Sequence, residues 1–139
     1  MIKKTIKYTD YNGIEREGDF FFNLSKAELM EMELSTNGGL AETIQNIVNA
    51  QDGQSLVKIF KDLILKAYGE KSIDGKRFVK VNDAGVPLSI GFSQTEAYSE
   101  LFMELATNDV AAAEFVKGIM PAGIDISDEQ IKQLQQNQQ

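Results

Sequence analysis

The sequence predicts an α+β protein in which an N-terminal β-hairpin is followed by a mainly α-helical bundle of about five helices. Up to about residue 24, apolar and polar side chains alternate with the period of two that is typical of strands. Beyond that point, apolar residues recur three and four positions apart, and Ser-x-x-Glu signals stand where helices would begin. A chain of 139 residues can bury its own core, so we expect one globular domain over residues 1–121 and a polar, Gln-rich tail over residues 122–139.

The hairpin is predicted over residues 2–24, with a turn at Asn12-Gly13. A two-residue loop would place the apolar side chains of the two strands on opposite faces of the sheet, which would reduce their burial. A three-residue loop, Tyr11-Asn12-Gly13, instead places Ile2 opposite Phe22. We therefore predict the longer loop, with its glycine in the left-handed conformation of a G1 bulge.

Three predicted helices follow the hairpin. The first begins at a capping box formed by Ser25 and Glu28, in which each side chain can bond the backbone amide of the other residue. The third is expected to end at Gly69, a residue type that often closes a helix. The three helices are predicted over about residues 25–34, 39–50 and 54–68.

The pattern between residues 70 and 92 is the least regular in the chain. Asp74-Gly75 predicts a turn, Arg77 to Val81 a short strand, and residues 83–91 a loop. A second capping box at Ser93 to Glu96 then predicts a helix over about residues 93–106.

The last predicted helix of the domain covers about residues 108–120. Asn108 is its cap, and the helix must end before Pro121 because proline cannot continue it. In the tail, Ser127 and Gln130 form a third capping box, but little apolar surface follows them. The tail is therefore predicted to be either a short helix or disordered.

The composition argues against catalysis and against cofactors. The chain has no cysteine and no histidine, which excludes thiol chemistry and removes the commonest general base and metal ligand. We therefore predict a protein that is not an enzyme and that holds no metal or cofactor. The net charge of −7 argues against a nucleic-acid partner, because phosphate binding depends on clustered Lys and Arg. No apolar run approaches the roughly 18–20 residues that span a bilayer, so no membrane partner is expected.

Three local patterns have both a functional and a structural interpretation. Gly38-Gly39 could bind an anion at a helix start, but no Lys-Ser/Thr pair follows, which favours a helix breaker. The segment Asp10 to Gly13 has the glycine of a calcium loop but lacks the usual ligands at the loop's ends, which favours a hairpin turn. Glu96, Glu100 and Glu104 could bind a metal or act as acids. Catalytic carboxylates usually come from different elements around a pocket, so we interpret this row as a solvated helix face.

Apolar residues at polar positions are the candidate protein-binding residues. Leu65 stands among the charged residues of the helix over 54–68, and Met103 stands among those of the helix over 93–106. Methionine suits an adaptable binding surface because its side chain is flexible and polarisable. Burial inside the monomer is the alternative for each of them. The full set of candidates also includes the apolar end of the Ala-rich helix and consists of Leu65, Met103, Phe115, Ile119 and Met120.

Three blocks of the sequence carry a resemblance to a known family. They are Phe22 to Leu29, Phe60 to Gly69 and Phe92 to Thr107. Over roughly residues 3–120, the chain resembles the tail assembly chaperones, which are small proteins encoded in the tail-gene cluster of long-tailed bacteriophages. The blocks contain no catalytic motif, and the resemblance supplies no binding residues that can be carried over to this chain.

The resemblance implies a function and a set of partners. Such chaperones bind the long tape measure protein before the tail tube polymerises around it, keep it soluble in the host bacterial cytoplasm, and are absent from the finished virion. Further implied partners are a frameshifted longer form of the chain itself, the tail-tube protein and a second copy in a homo-oligomer. The alternative is a structural component of the virion, such as a tail-tube or completion protein.

Overall fold

The computed structural model describes residues 1–35 and 53–121, and it confirms the α+β class. The predicted helix over 39–50 and the tail over 122–139 lie outside the described residues, and the domain boundary at residue 121 stays a prediction. The described elements, in chain order, are β1 (Ile2–Thr9), β2 (Glu15–Phe22), α1 (Lys26–Ser35), α2 (Gly53–Ala67), β3 (Tyr68–Lys71), β4 (Phe78–Val79), α3 (Leu88–Ser93), α4 (Glu96–Thr107) and α5 (Asp109–Ile119).

The strands form one antiparallel four-stranded sheet in the order β1-β2-β3-β4. Its first two strands have the predicted register, with Ile2 opposite Phe22. The predicted three-residue loop is also confirmed, because the Asp10 amide donates to the Ile14 carbonyl over 2.9 Å and Gly13 has a φ of +78°. The Asp10 carboxylate accepts hydrogen bonds from the amides of Asn12 and Ile14, so it stabilises the hairpin turn.

The capping box at the start of α1 is confirmed. The Ser25 amide donates to Glu28 Oε1 over 2.9 Å, and the Glu28 amide donates to Ser25 Oγ over 3.1 Å. Leu24 and Leu29, which flank the cap in sequence, are both buried in the core.

The prediction that Gly69 caps a helix is wrong. Helix α2 ends at Ala67, and β3 begins at the next residue without a loop. The Asn23 amide donates to the Ala67 carbonyl over 2.8 Å, so the residue after β2 provides the hydrogen bond that a C-cap would have made. Gly69 is instead a site of close approach, because a Cβ there would lie 2.5 Å from the Phe78 ring.

The segment before α4 also differs from the prediction. Residues 88–93 form the short helix α3, where a loop was expected, and Ser93 ends this helix instead of capping the next. The Ser93 hydroxyl donates to the Ile90 carbonyl, and Thr95 caps α4 by accepting from the Tyr98 amide over 3.3 Å. Helix α3 contains a glycine and is only six residues long, so its periodicity is too short to be recognised in the sequence.

The last described helix confirms its prediction. Asn108 caps α5 by accepting from the Ala111 amide over 3.0 Å, and the helix ends at Ile119, before Pro121. Helix α5 packs against α4 and β1, while α2 packs against α4.

The core lies between the sheet and these helices. Aromatic rings occupy its centre, where Phe22 makes edge-on contacts with Phe115 and Phe92 and the Tyr68 ring stacks on Phe92 at 4.2 Å. Ile6 of β1 is buried on the inner face of the sheet. The outer face is polar: the Thr5 hydroxyl donates to the Asp19 carboxylate over 2.7 Å.

A polar contact, which we name the Lys80 junction, joins α1, α2 and the link between β2 and α1 to the segment after β4. The Lys80 ammonium donates to Glu28 Oε2, to the Asn23 carbonyl and to the Lys66 carbonyl over 2.6, 2.7 and 2.8 Å. All three of its donors are thereby used. The Lys66 carbonyl belongs to the last turn of α2, where the helix dipole favours a positive charge.

Candidate protein-binding groove

Three depressions stand out on the surface of the described residues, and one of them has an apolar lining. The two larger ones, of about 530 Å³ each, are lined mainly by charged and polar side chains of the two hairpins. The third, of about 270 Å³, lies between α2 and α4. An apolar lining is typical of a binding site. We therefore take the third depression as the candidate binding site, although the other two are larger. We name it the α2/α4 groove, and its lining residues are Val57, Lys61, Tyr98, Ser99, Phe102 and Met103.

The groove follows from how the two helices bury their apolar faces. In α4, the residues at a spacing of four that face the core are Ala97, Leu101 and Leu105. Tyr98 and Phe102 therefore lie at the border of the core and are half-buried, while Met103 lies on the outer side and is 56% exposed. In α2, Val57 stands at the edge of the buried face and is 46% exposed. The groove thus exposes apolar side chains from both helices.

The structure divides the five candidate binding residues into two groups. Met103 lies in the α2/α4 groove, whereas Leu65 is half-buried and packs against the core. Phe115, Ile119 and Met120 are only 1%, 0% and 6% exposed, so a partner cannot reach them on the surface of this fold. They form part of the core between α5 and the sheet. For Met103 a binding role stays a prediction.

Three apolar or aromatic groove residues, Val57, Tyr98 and Phe102, were not among the sequence-based candidates. Tyr98 and Phe102 are spaced by four on the helix that carries Met103, and this spacing was a signal that could have identified them. Val57 had no such signal, because its place in the groove depends on the packing of α2 against α4.

The acidic row Glu96, Glu100 and Glu104 borders the groove on α4, and its interpretation as a solvated face is only partly right. The Tyr11 hydroxyl donates to Glu96 Oε1 over 2.6 Å, and this hydrogen bond is the main cause of the raised pKa of Tyr11. Lys4 forms an ion pair with Glu104 at 3.1 Å. The row therefore also fastens α4 to the N-terminal hairpin.

The α2 side of the groove has a mixed charge. Lys61 lines the groove, and Lys58 and Asp62 are exposed beside it. Partial burial and the negative charge of Asp62 raise the pKa of Tyr98, so its hydroxyl is neutral at physiological pH. The groove consequently has an acidic border on α4 and a border on α2 with two lysines and one aspartate.

The described part of the chain contains neither a cluster of metal ligands nor a membrane-spanning helix. Within residues 1–35 and 53–121, no group of three or more acidic side chains could hold a metal ion. The helices of the same residues are all too short or too polar to cross a membrane.

Comparison with known proteins identifies the family. The complete chain, residues 1–139, matches the protein family described as phage tail assembly chaperone. The searches of curated proteins and of solved structures gave no match. The family match contains the three sequence blocks on which the resemblance was based, and it extends over both chain ends. The chain therefore belongs to the phage tail assembly chaperone family.

Proposed function

We propose that this chaperone binds the tape measure protein of its phage and keeps it soluble in the host cytoplasm until the tail tube forms around it. Membership of the chaperone family is the observation that carries this proposal. The α2/α4 groove supports it, because a groove that exposes adjoining apolar side chains is typical of a protein-binding surface. The frameshifted longer form, the tail-tube protein and a second copy are further proposed partners.

The chemistry of the groove suits a client that must be held and then released. Met103 and Phe102 offer apolar contact, and the flexible methionine side chain can adapt to different client segments. One groove of about 270 Å³ buries few side chains, so each contact is expected to be weak. Several copies along one elongated client would hold it through avidity.

The charge and composition of the chain fit a non-catalytic role. A net charge of −7 keeps separate complexes apart by repulsion, which favours solubility. The chain also has neither the histidine nor the cysteine on which most acid–base and nucleophilic sites depend. We therefore propose that the protein acts by binding alone.

Co-expression with the tape measure protein of the same genome tests the proposal. The wild-type chaperone should raise the soluble fraction of the client several-fold, measured by sedimentation and quantitative blotting. The double variant Val57→Gln/Met103→Gln should lose most of this effect, because it removes the apolar contacts of the groove. Ile73→Gln is the matched control, since Ile73 is a fully exposed apolar residue on the turn between β3 and β4.

Two results would contradict the proposal at different levels. A client that is equally insoluble with and without the wild-type chaperone would overturn the function. A double variant as effective as wild type would leave the function standing and reject the groove as the binding site. Mass spectrometry of purified virions should find no stoichiometric copy of the chain, whereas a structural tail component would be present.

A further inference from the structure

We infer that the α2/α4 groove binds an amphipathic helix whose apolar stripe is flanked by lysine or arginine side chains on the side that meets α4. This inference rests on the proposed function, because it names the chemistry of the client segment that the groove would take. The observation behind it is the order in which apolar and acidic side chains follow one another around α4.

Each residue of an α-helix is turned by about 100° from the one before it, so positions three and four apart form rows along the surface. Four rows follow one another around α4. The first row faces the core and consists of Ala97, Leu101 and Leu105. On the side of α2, the next row is Tyr98 and Phe102. Ser99 and Met103 form the third row, and the acidic row is the fourth. A helix that packs on Phe102 and Met103 therefore has the acidic row directly along one flank.

The acidic row keeps most of its negative charge. Glu96 accepts its hydrogen bond from a neutral tyrosine, which does not cancel the carboxylate charge. Glu100 is exposed and makes no hydrogen bond or ion pair with the residues that the structure describes. It lines a depression with Lys7 and Arg16, but these two cations are paired with Glu17 and Asp10. Only Glu104 is paired with a cation, Lys4. Lysine or arginine side chains on the partner would thus find unneutralised carboxylates beside the groove.

The opposite flank of the groove provides no negative field. On α2, the two lysines and the one aspartate near the groove leave a net charge of about +1. The negative charge of the site therefore lies on the α4 side alone, and it favours the basic flank of a partner there.

The shape of the groove favours a helix as the occupant. It lies between two packed helices, and its lining on α4 runs from Tyr98 to Met103, which corresponds to a rise of about 7.5 Å at 1.5 Å per residue. A partner helix could lay between one and two turns of an apolar stripe over this length, with anchors at i and i+3/i+4.

Two designed helical peptides test the inference against the full-length protein by fluorescence anisotropy. Both carry the same Leu/Met stripe, and they differ only in one flank, which has three lysines in one peptide and three glutamates in the other. The lysine-flanked peptide should bind about fivefold more tightly at low salt, since exposed ion pairs each contribute little. Added salt should reduce this difference, because it screens exposed charges.

Variants at Glu100 identify the source of the preference. Glu100→Gln should lower the ratio of the two affinities towards one, and Glu100→Lys should favour the glutamate-flanked peptide. Glu114→Lys changes the net charge by the same amount as Glu100→Lys, but it does so on α5, outside the groove lining. It should keep the wild-type ratio. Both positions are exposed in helices, so these three variants are expected to fold.

The outcomes separate this inference from the proposed function. Equal binding of both peptides to the wild-type protein, no binding of either, or an unchanged ratio in Glu100→Lys would each overturn the basic-flank inference. If the wild-type chaperone nevertheless solubilises its client in co-expression, the proposed function stands without it.

Discussion

The Lys80 junction and the α2/α4 groove are built in opposite ways. At the junction, each donor of one ammonium group has an acceptor within 2.8 Å, and these contacts join three separate elements. In the groove, Val57 and Met103 are about half exposed, and no described residue covers them. The junction is specified by polar groups that would be costly to leave unpaired. The groove exposes apolar side chains from two helices, which is why we propose it as the binding site.

Among changes to the junction and the groove, the largest expected effect on stability comes from breaking the junction. Lys80→Met keeps most of the side-chain volume but removes all three hydrogen bonds and leaves the half-buried Glu28 carboxylate without its cation. We expect a loss of about 2 kcal/mol in the free energy of unfolding. Urea denaturation followed by circular dichroism measures it, with Lys76→Met, an exposed lysine on the turn between β3 and β4, as the control.

Measuring client binding of Lys80→Met tests whether the junction and the groove act independently. The junction and the groove share no residue, so folded Lys80→Met should solubilise the client as well as wild type does. A loss of less than about 0.5 kcal/mol in stability would show that water replaces the junction contacts at little cost.

A smaller effect concerns the pH dependence of the junction. Partial burial alone would raise the pKa of Glu28, but hydrogen bonds from Lys80 and Ser25 outweigh it and hold the pKa below its ordinary value of 4.5. A carboxyl whose pKa is lowered by folding contributes stability above its unfolded pKa and loses it as the pH falls through the folded pKa. Because the site is half exposed, we expect a contribution of about 1 kcal/mol or less.

Unfolding of the wild type and Glu28→Gln at a series of pH values tests this prediction. The difference in stability should be constant from about pH 7 down to the ordinary pKa, and it should shrink as the pH falls below about 4.5. Glu114→Gln, the same substitution at an exposed position on α5, is the control. A Glu28→Gln difference that does not change with pH would mean that the carboxylate charge is not what stabilises the junction.

The N-terminal hairpin could be predicted from the sequence because local turn chemistry and global burial agree there. Asn12-Gly13 marks the turn, and only the three-residue loop places Ile2 opposite Phe22. The start of α4 could not be predicted in the same way, since Ser93 and Thr95 are both good caps. Burial of Phe92 in the aromatic cluster decides between them, and that contact is remote in sequence.

The groove could be predicted only in part, because it also depends on contacts between residues that are distant in sequence. Met103 is visible in the sequence as an apolar residue on the polar side of an amphipathic helix. Val57 becomes part of the site only through the packing of α2 on α4. Conversely, Phe115 and Ile119 resemble binding residues in the sequence, but the sheet and its neighbouring helices bury them. Contacts between distant segments decide each of these cases.

The smallest expected effect on stability belongs to the groove itself. Met103→Gln should lower the free energy of unfolding by less than about 0.5 kcal/mol, because the side chain is already 56% exposed. Leu101→Ala, two positions earlier in the same helix, should cost about 2–5 kcal/mol, because Leu101 is 1% exposed in the core. Urea denaturation of the two variants gives both values. A loss above about 1 kcal/mol for Met103→Gln would show that Met103 packs within the chain, and it would remove the groove's main apolar contact from the binding surface.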